Sequence, residues 1–179
     1  MRLETARLTL RPWDEADRAP LAAMHADEEV MADYGGTLSR AGSDAKFDRY
    51  VAAWRDHGFG RWSLATRDGG FAGYAGVMPI RPDHPAAPNV EVGWRLVRRA
   101  WGRGYASEAA RAALADGFRR HGWAEVLSYT AADNLRSQAV MARLGLAREA
   151  HRDFTADYDG SAWSGQVWVA RPEMFAVAG

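Results

Sequence analysis

The chain contains no cysteine, which excludes disulfides, thiolate metal sites and a thiol nucleophile together. Lysine occurs once, at Lys46, and the other fixed positive charges are arginines. Neither sign of charge is in excess: 23 basic and 23 acidic residues give a formal net charge of zero, so nothing directs the protein to nucleic acid or to an anionic membrane. No stretch approaches the ~18 consecutive apolar residues of a membrane span, and Arg2, Glu4, Arg7 and Arg11 stand where a signal peptide has its apolar run. A soluble cytoplasmic protein is the expectation. Internal repeats and low-complexity linkers are also missing.

What the chain does have is enough apolar material for a core. Its 179 residues are 47% hydrophobic and include eight tryptophans, which fits a single packed domain over residues 1–179.

Leu8 and Leu10 alternate with Thr9 and Arg11 as a first strand. Asp14 caps helical pieces that run out near Asp33, with Pro20 costing regularity. Ser43 with Asp44 is the expected cap of a helix whose Phe47, Tyr50, Val51 and Trp54 share a face, and Gly58 stops it. From Arg61 the period becomes extended: Arg61 to Arg67 and Phe71 to Met78 flank the hairpin turn Asp68-Gly69-Gly70. Pro79, Pro82, Pro85 and Pro88 then mark an irregular loop placed to fold over a site.

Val90 to Leu96 reads as the next strand. It feeds Arg98-Arg99-Ala100-Trp101-Gly102-Arg103-Gly104-Tyr105-Ala106, a glycine-spaced loop that opens a helix from Tyr105 to Arg120. Gly102 and Gly104 lack a Cβ, so the backbone can turn sharply and present several N–H groups to an anion at the helix N-terminus. Ala106, Ala110, Ala113 and Leu114 share a face that admits close approach to a sheet. Glu125 to Thr130 is a further strand, Asp133 or Asn134 caps a helix carrying Leu135, Val140, Met141 and Leu144, and Gly145 ends it. Leu146 to Phe154 and Gln166 to Arg171 form a last pair of strands around Tyr158-Asp159-Gly160. The sum is an α/β domain with a mixed sheet. A P-loop or dinucleotide fingerprint does not fit, because no Lys-Ser/Thr follows the glycines and no third glycine has the required spacing.

Four segments, in order along the chain, together resemble the GNAT superfamily of N-acetyltransferases. Arg99-x-x-Gly102-x-Gly104 resembles its acyl-CoA loop, and Asn134-x-x-Ser137 with Leu144-Gly145-Leu146 resembles its later helix and exit. Leu3 to Pro12 and Glu91-Val92-Gly93-Trp94 are similar to the ribosomal-protein N-terminal (alanine/serine) acetyltransferase branch. The resemblance implies an α+β domain with a mostly antiparallel twisted sheet, helices on its flanks and two splayed central strands. It implies acetyl-CoA as co-substrate and no metal. Trp94, Leu96, Val97, Arg98, Arg99, Trp101, Gly102, Arg103, Gly104, Tyr105, Ala106, Ser107 and Asn134 are then the expected CoA-binding residues. A backbone amide near Trp94 or Leu96 would polarise the thioester.

Acetyl transfer needs a neutral amine and a stabilised leaving thiolate. Glu91 is the leading base, ahead of His84 and Asp83 in the proline loop, and its competing reading is a side chain that faces solvent or pairs with an arginine across the sheet. Where many superfamily members place a tyrosine acid, seven residues after the asparagine, this chain has Met141, which has no proton to give. In the resembled branch the hydroxyl at Ser137 takes that place, as a hydrogen-bond donor to sulfur or a relay of water. The acceptor, a primary amine on a peptide N-terminus or a small molecule, is expected among Met31 to Ser43, the proline loop and the last hairpin, with Tyr34, Trp54, Trp62, Tyr129, Tyr158 and Trp163 as aromatic surface. The competing function is a non-catalytic acyl-CoA-binding or scaffold domain, which Met141 favours. Members of the branch often dimerise, so a homodimer is part of the expectation.

Overall fold

A computed structural model describes residues 1–158 and 161–175, with the side chain of Tyr158 excepted; the expected turn at Asp159-Gly160 lies outside the described residues. The strands are β1 (Leu3–Glu4), β2 (Leu8–Arg11), β3 (Arg61–Thr66), β4 (Phe71–Pro79), β5 (Val90–Leu96), β6 (Val126–Thr130), β7 (Ala147–Arg148), β8 (Phe154–Tyr158) and β9 (Ser161–Ala170). The α-helices are α1 (Arg18–His25), α2 (Glu28–Met31), α3 (Arg40–His57), α4 (Tyr105–His121) and α5 (Leu135–Leu144). The sheet order is β1-β2-β3-β4-β5-β6-β9-β7, with β8 on β9. Every pairing is antiparallel except β5 with β6, which is parallel and pairs at the single position Glu91 and Leu127.

The alternation of β5 assigns its side chains to two layers. Val92 and Leu96 join Ala109, Ala110, Ala113 and Leu114 of α4 and Met141 and Leu144 of α5 in the cores of one face. The alanines keep α4 close to the sheet, as its sequence predicts. Glu91, Gly93 and Arg95 point to the other face, where α1, α2 and α3 bury Leu21, Met31, Phe47 and Tyr50 against Trp13, Tyr74 and Met78.

Several expectations change. Helix α3 starts at Arg40 because the Ser39 hydroxyl reaches the Gly42 N–H at 3.1 Å, one turn before Ser43. Ser43 is instead buried, with its Oγ 2.9 Å from His25 Nδ1. Val51 and Leu135 are exposed, Leu135 at 70%, since both sit off the stripe that meets the sheet. Trp54 and Trp62 pack on one another at 4.2 Å between ring centres, so Trp62 belongs to the core and not to an acceptor surface. The segment after Leu146 is mostly a turn (Ala150–Arg152) between short β7 and β8, and β9 begins at Ser161, well before Gln166.

His25 is fully buried, and burial first, then the Lys46 and Arg95 cations, push it down to about 4 from its ordinary 6.5. A histidine lowered on folding takes its proton more readily in the unfolded chain, so its contribution is present above about pH 6.5 and is lost as pH falls toward 4. The urea midpoint is expected to drop between these limits, and less steeply in His25→Gln; equal slopes in the two proteins would contradict this.

Candidate active site

The glycine loop leaves β5 through a single turn at Arg98–Ala100 and enters α4 at Tyr105. Gly102 and Gly104 have φ of 71° and 76°, the left-handed region that other residues enter only at a cost. No side chain caps the first turn of α4. Among the described residues, the main-chain N–H groups of Gly102, Arg103 and Gly104 have no acceptor. The Ser107 hydroxyl, one turn in, is buried and has no partner among the described residues. Unmatched donors gathered at a helix N-terminus are the arrangement that holds a phosphate.

The three arginines of this loop divide. Arg98 pairs with Asp27 at 3.0 Å and Glu29 at 2.5 Å, and Arg99 donates to the Phe71 carbonyl at 2.6 Å. Both are thereby held toward α1, α2 and β4. The Arg103 side chain has no protein partner among the described residues. Trp101 ties the loop to the strand through Nε1–H, which donates to the Leu96 carbonyl at 2.8 Å, and Arg136 lies 4.2 Å over its ring. The Val97 N–H bonds to the Ala72 carbonyl at 3.1 Å.

The opening between β5 and β6 follows from their pairing. Ser128 Oγ donates to the Val92 carbonyl at 3.0 Å, so the main-chain groups of Val92 face β6. Alternation turns those of Trp94 to the same edge, past the only paired position. The Trp94 N–H therefore faces the gap.

Beyond the gap, Asn134 caps α5. Its Oδ1 accepts from the Ser137 N–H at 3.1 Å, and its Nδ2 donates to Asp33 Oδ2 at 2.9 Å. Asp33 also binds Arg95 of β5 at 2.7 Å, so Arg95, Asp33 and Asn134 link β5 to the start of α5. The Ser137 hydroxyl is half-buried and has no protein partner among the described residues. Met141 is buried in the core beneath it.

Glu91 lies on the opposite face of β5. Its Oε1 accepts from Arg61 Nη2, while Arg61 Nη1 donates to the carbonyls of Gly76 and, at 3.2 Å, of Glu91 itself. Arg61 is only 7% exposed. Gly93 makes the pairing feasible: a Cβ there would come within 2.7 Å of Arg61 Nη2. Glu91 thus has its cross-sheet arginine, and only Oε1 is used; Oε2 has no protein partner among the described residues. Beside this pair, burial raises the Tyr50 phenol, whereas the Tyr74 phenol is lowered because Lys46, Arg95, Tyr50 and Arg61 outweigh its own burial. These tyrosines and Arg61 carry no short-range sequence signal; only the glycine in a strand at Gly93 hints at them.

His84 is not a surface residue. It is 8% exposed, stacked on Tyr129 at 5.0 Å and edge-on to Phe154 at 4.8 Å. Its Nδ1 accepts the Ala86 N–H at 3.1 Å, so in the neutral ring the proton sits on Nε2, which is buried and has no partner among the described residues. Burial lowers its pKa, against the pull of Glu91. The ring is set to donate a hydrogen bond, and Nδ1 is unavailable as a base.

The chain matches, over residues 7–147, the model of the family described as an acetyltransferase (GNAT) domain. It belongs to the GNAT acetyltransferase family. It is 32% identical over 156 residues to FsC-acetyl coenzyme A-N(2)-transacetylase of Aspergillus fumigatus, covering 80% of this chain and 64% of that protein. In structure it is similar to an acetyltransferase from Agrobacterium tumefaciens, with a TM-score of 0.80, 27% identity and coverage of 96% and 94% of the two chains. Spermidine N-acetyltransferase of Vibrio cholerae, solved with CoA and spermine, shares the fold at a TM-score of 0.74 and 13% identity, over 96% of this chain and 99% of that one. The single mixed, mostly antiparallel sheet flanked by helices is the GNAT fold. Among the described residues no helix is long and apolar enough to cross a membrane, and no group of three or more His, Asp or Glu is placed to hold a metal ion.

Proposed function

We propose that the protein moves the acetyl group of acetyl-CoA directly to a primary amine, on a peptide N-terminus or a small molecule, within a ternary complex. The observation that carries this reading is the loop of unmatched N–H groups at Gly102 to Gly104, set beside the gap between β5 and β6. In this reading the pyrophosphate lies on that loop and the first turn of α4, with Arg103 and the Ser107 hydroxyl adding donors. Arg98 and Arg99 shape the loop through their protein partners. Pantetheine runs along the open edge of β5, and the Trp94 N–H polarises the thioester carbonyl.

The amine nitrogen attacks the carbonyl carbon, the carbon–sulfur bond breaks and CoA leaves as the thiolate. Glu91 Oε2 receives the amine's proton, directly or through one water, while Arg61 fixes the carboxylate from the other side. The Ser137 hydroxyl hydrogen-bonds the departing sulfur, and Asn134 presents Ser137 by capping its helix. The resemblance of residues 3–12 to the ribosomal-protein branch favours a peptide N-terminus as acceptor.

Without cysteine the chain has no thiol to hold an acyl group. Mass spectrometry of the protein after incubation with acetyl-CoA alone is expected to show no added acetyl group, and acetyl is expected on the amine once one is supplied. An acetylated protein competent to pass its acetyl group on would contradict direct transfer.

A further inference from the structure

Glu108 stands in the first turn of α4, where a carboxylate opposes the binding of a polyanion to the same helix end. Its surroundings answer this. Glu108 Oε1 accepts from the Thr5 hydroxyl at 2.6 Å and the Arg7 N–H at 2.8 Å, and Oε2 accepts from Arg7 Nε at 2.7 Å and Nη2 at 2.6 Å. Arg7 also donates from Nη1 to the Arg103 carbonyl at 2.6 Å, and its guanidinium lies 5.0 Å over the Tyr105 ring. A planar trans peptide points its N–H opposite to its C=O. The Arg103 carbonyl is drawn to Arg7, so the Gly104 N–H is turned away from it, and that N–H has no acceptor among the described residues.

We infer that Arg7, joined to Thr5 ahead of β2, is a positioning residue of the CoA pyrophosphate site. It cancels the charge of Glu108 and fixes the Arg103–Gly104 peptide so that its N–H faces the phosphates. The inference rests on the proposed acetyl-CoA site and goes beyond it, because Arg7 and Glu108 touch no reacting atom. Burial acts to raise the Glu108 carboxyl, but Thr5 and Arg7 outweigh it and hold it below the ordinary carboxylate range, so the charge to be cancelled is present at neutral pH. The arrangement also gives the two partners opposite effects on the ligand. A purely structural bridge would make them equivalent.

The test is calorimetric titration of CoA into the wild type, Arg7→Ala, Arg7→Lys, Glu108→Gln and the Arg7→Ala/Glu108→Gln double variant. Arg7→Ala is expected to weaken CoA about tenfold, and Arg7→Lys, which keeps the charge without the fork, about threefold. Glu108→Gln removes the opposing anion and is expected to bind CoA as well as the wild type or about threefold tighter, and the double variant to recover part of the Arg7→Ala loss. Glu108→Gln weakening CoA as much as Arg7→Ala would overturn the inference, as would Arg7→Ala binding normally. If Arg7→Ala does not fold, the comparison of Arg7→Lys, expected to weaken CoA, with Glu108→Gln, expected not to, still decides. A wild type that does not bind CoA overturns the proposed function together with the inference, whereas normal wild-type binding with unaltered variants overturns the inference alone.

Discussion

Glu91→Ala is expected to lower stability by about 3 kcal/mol, because it leaves the Arg61 guanidinium buried without its carboxylate. The figure is at the low end for a broken buried pair, since the carbonyls of Gly76 and Glu91 still accept from Arg61 Nη1. For a domain of this size the melting temperature is expected to fall by about 6 to 12 °C. Glu91→Gln keeps an acceptor for Arg61 and is expected to lose much less stability. Its turnover should nevertheless fall about a hundredfold, since an amide cannot take the amine's proton. Thermal unfolding and steady-state rates on the two variants separate the roles. Full turnover in Glu91→Gln would remove Glu91 as the base while leaving the Arg61 pair intact.

Gly104→Val is expected to weaken CoA binding about a hundredfold, equivalent to about 2.7 kcal/mol. The cause is conformational. At a φ of 76° a non-glycine residue carries strain of order 1–3 kcal/mol, and a β-branched one falls at the upper end. Crowding contributes little, because a Cβ at Gly104 meets only Arg7 Nη2, at 3.4 Å. To relieve the strain the loop must rotate, which turns the Gly104 N–H and its neighbours off the phosphate site. Titration with CoA checks this, and near-normal affinity in Gly104→Val would count against the loop as the pyrophosphate site.

The sequence made local signals legible and left distant ones hidden. The glycine loop, the strand ahead of it, the alanine face of α4 and the Asn134 cap are each written within a few residues, and the structure has each of them in place. The Ser39 cap was obscured by Ser43, since two serines one turn apart offer the same chemistry. The Arg7–Glu108 and Asp33–Asn134 contacts each join residues 101 positions apart, and no periodicity reports a pairing of that kind. His84 lies among prolines with no local signal of its burial, yet the Ile80 N–H bonds to the Asn89 carbonyl at 2.9 Å and closes the loop back over Tyr129. The division of the loop arginines was equally out of reach, because Asp27, Glu29 and Phe71 approach them only in the folded chain.

The proposed activity is transfer and not binding alone. Its most direct test is the rate of CoA release from acetyl-CoA across peptides with free N-termini, polyamines and aminoglycosides, measured with and without the protein. Release is expected to require both the protein and one of these amines, with the acetyl group recovered on that amine. CoA bound tightly but released across the whole panel only at the rate seen without protein would contradict it and leave a scaffold of the same fold.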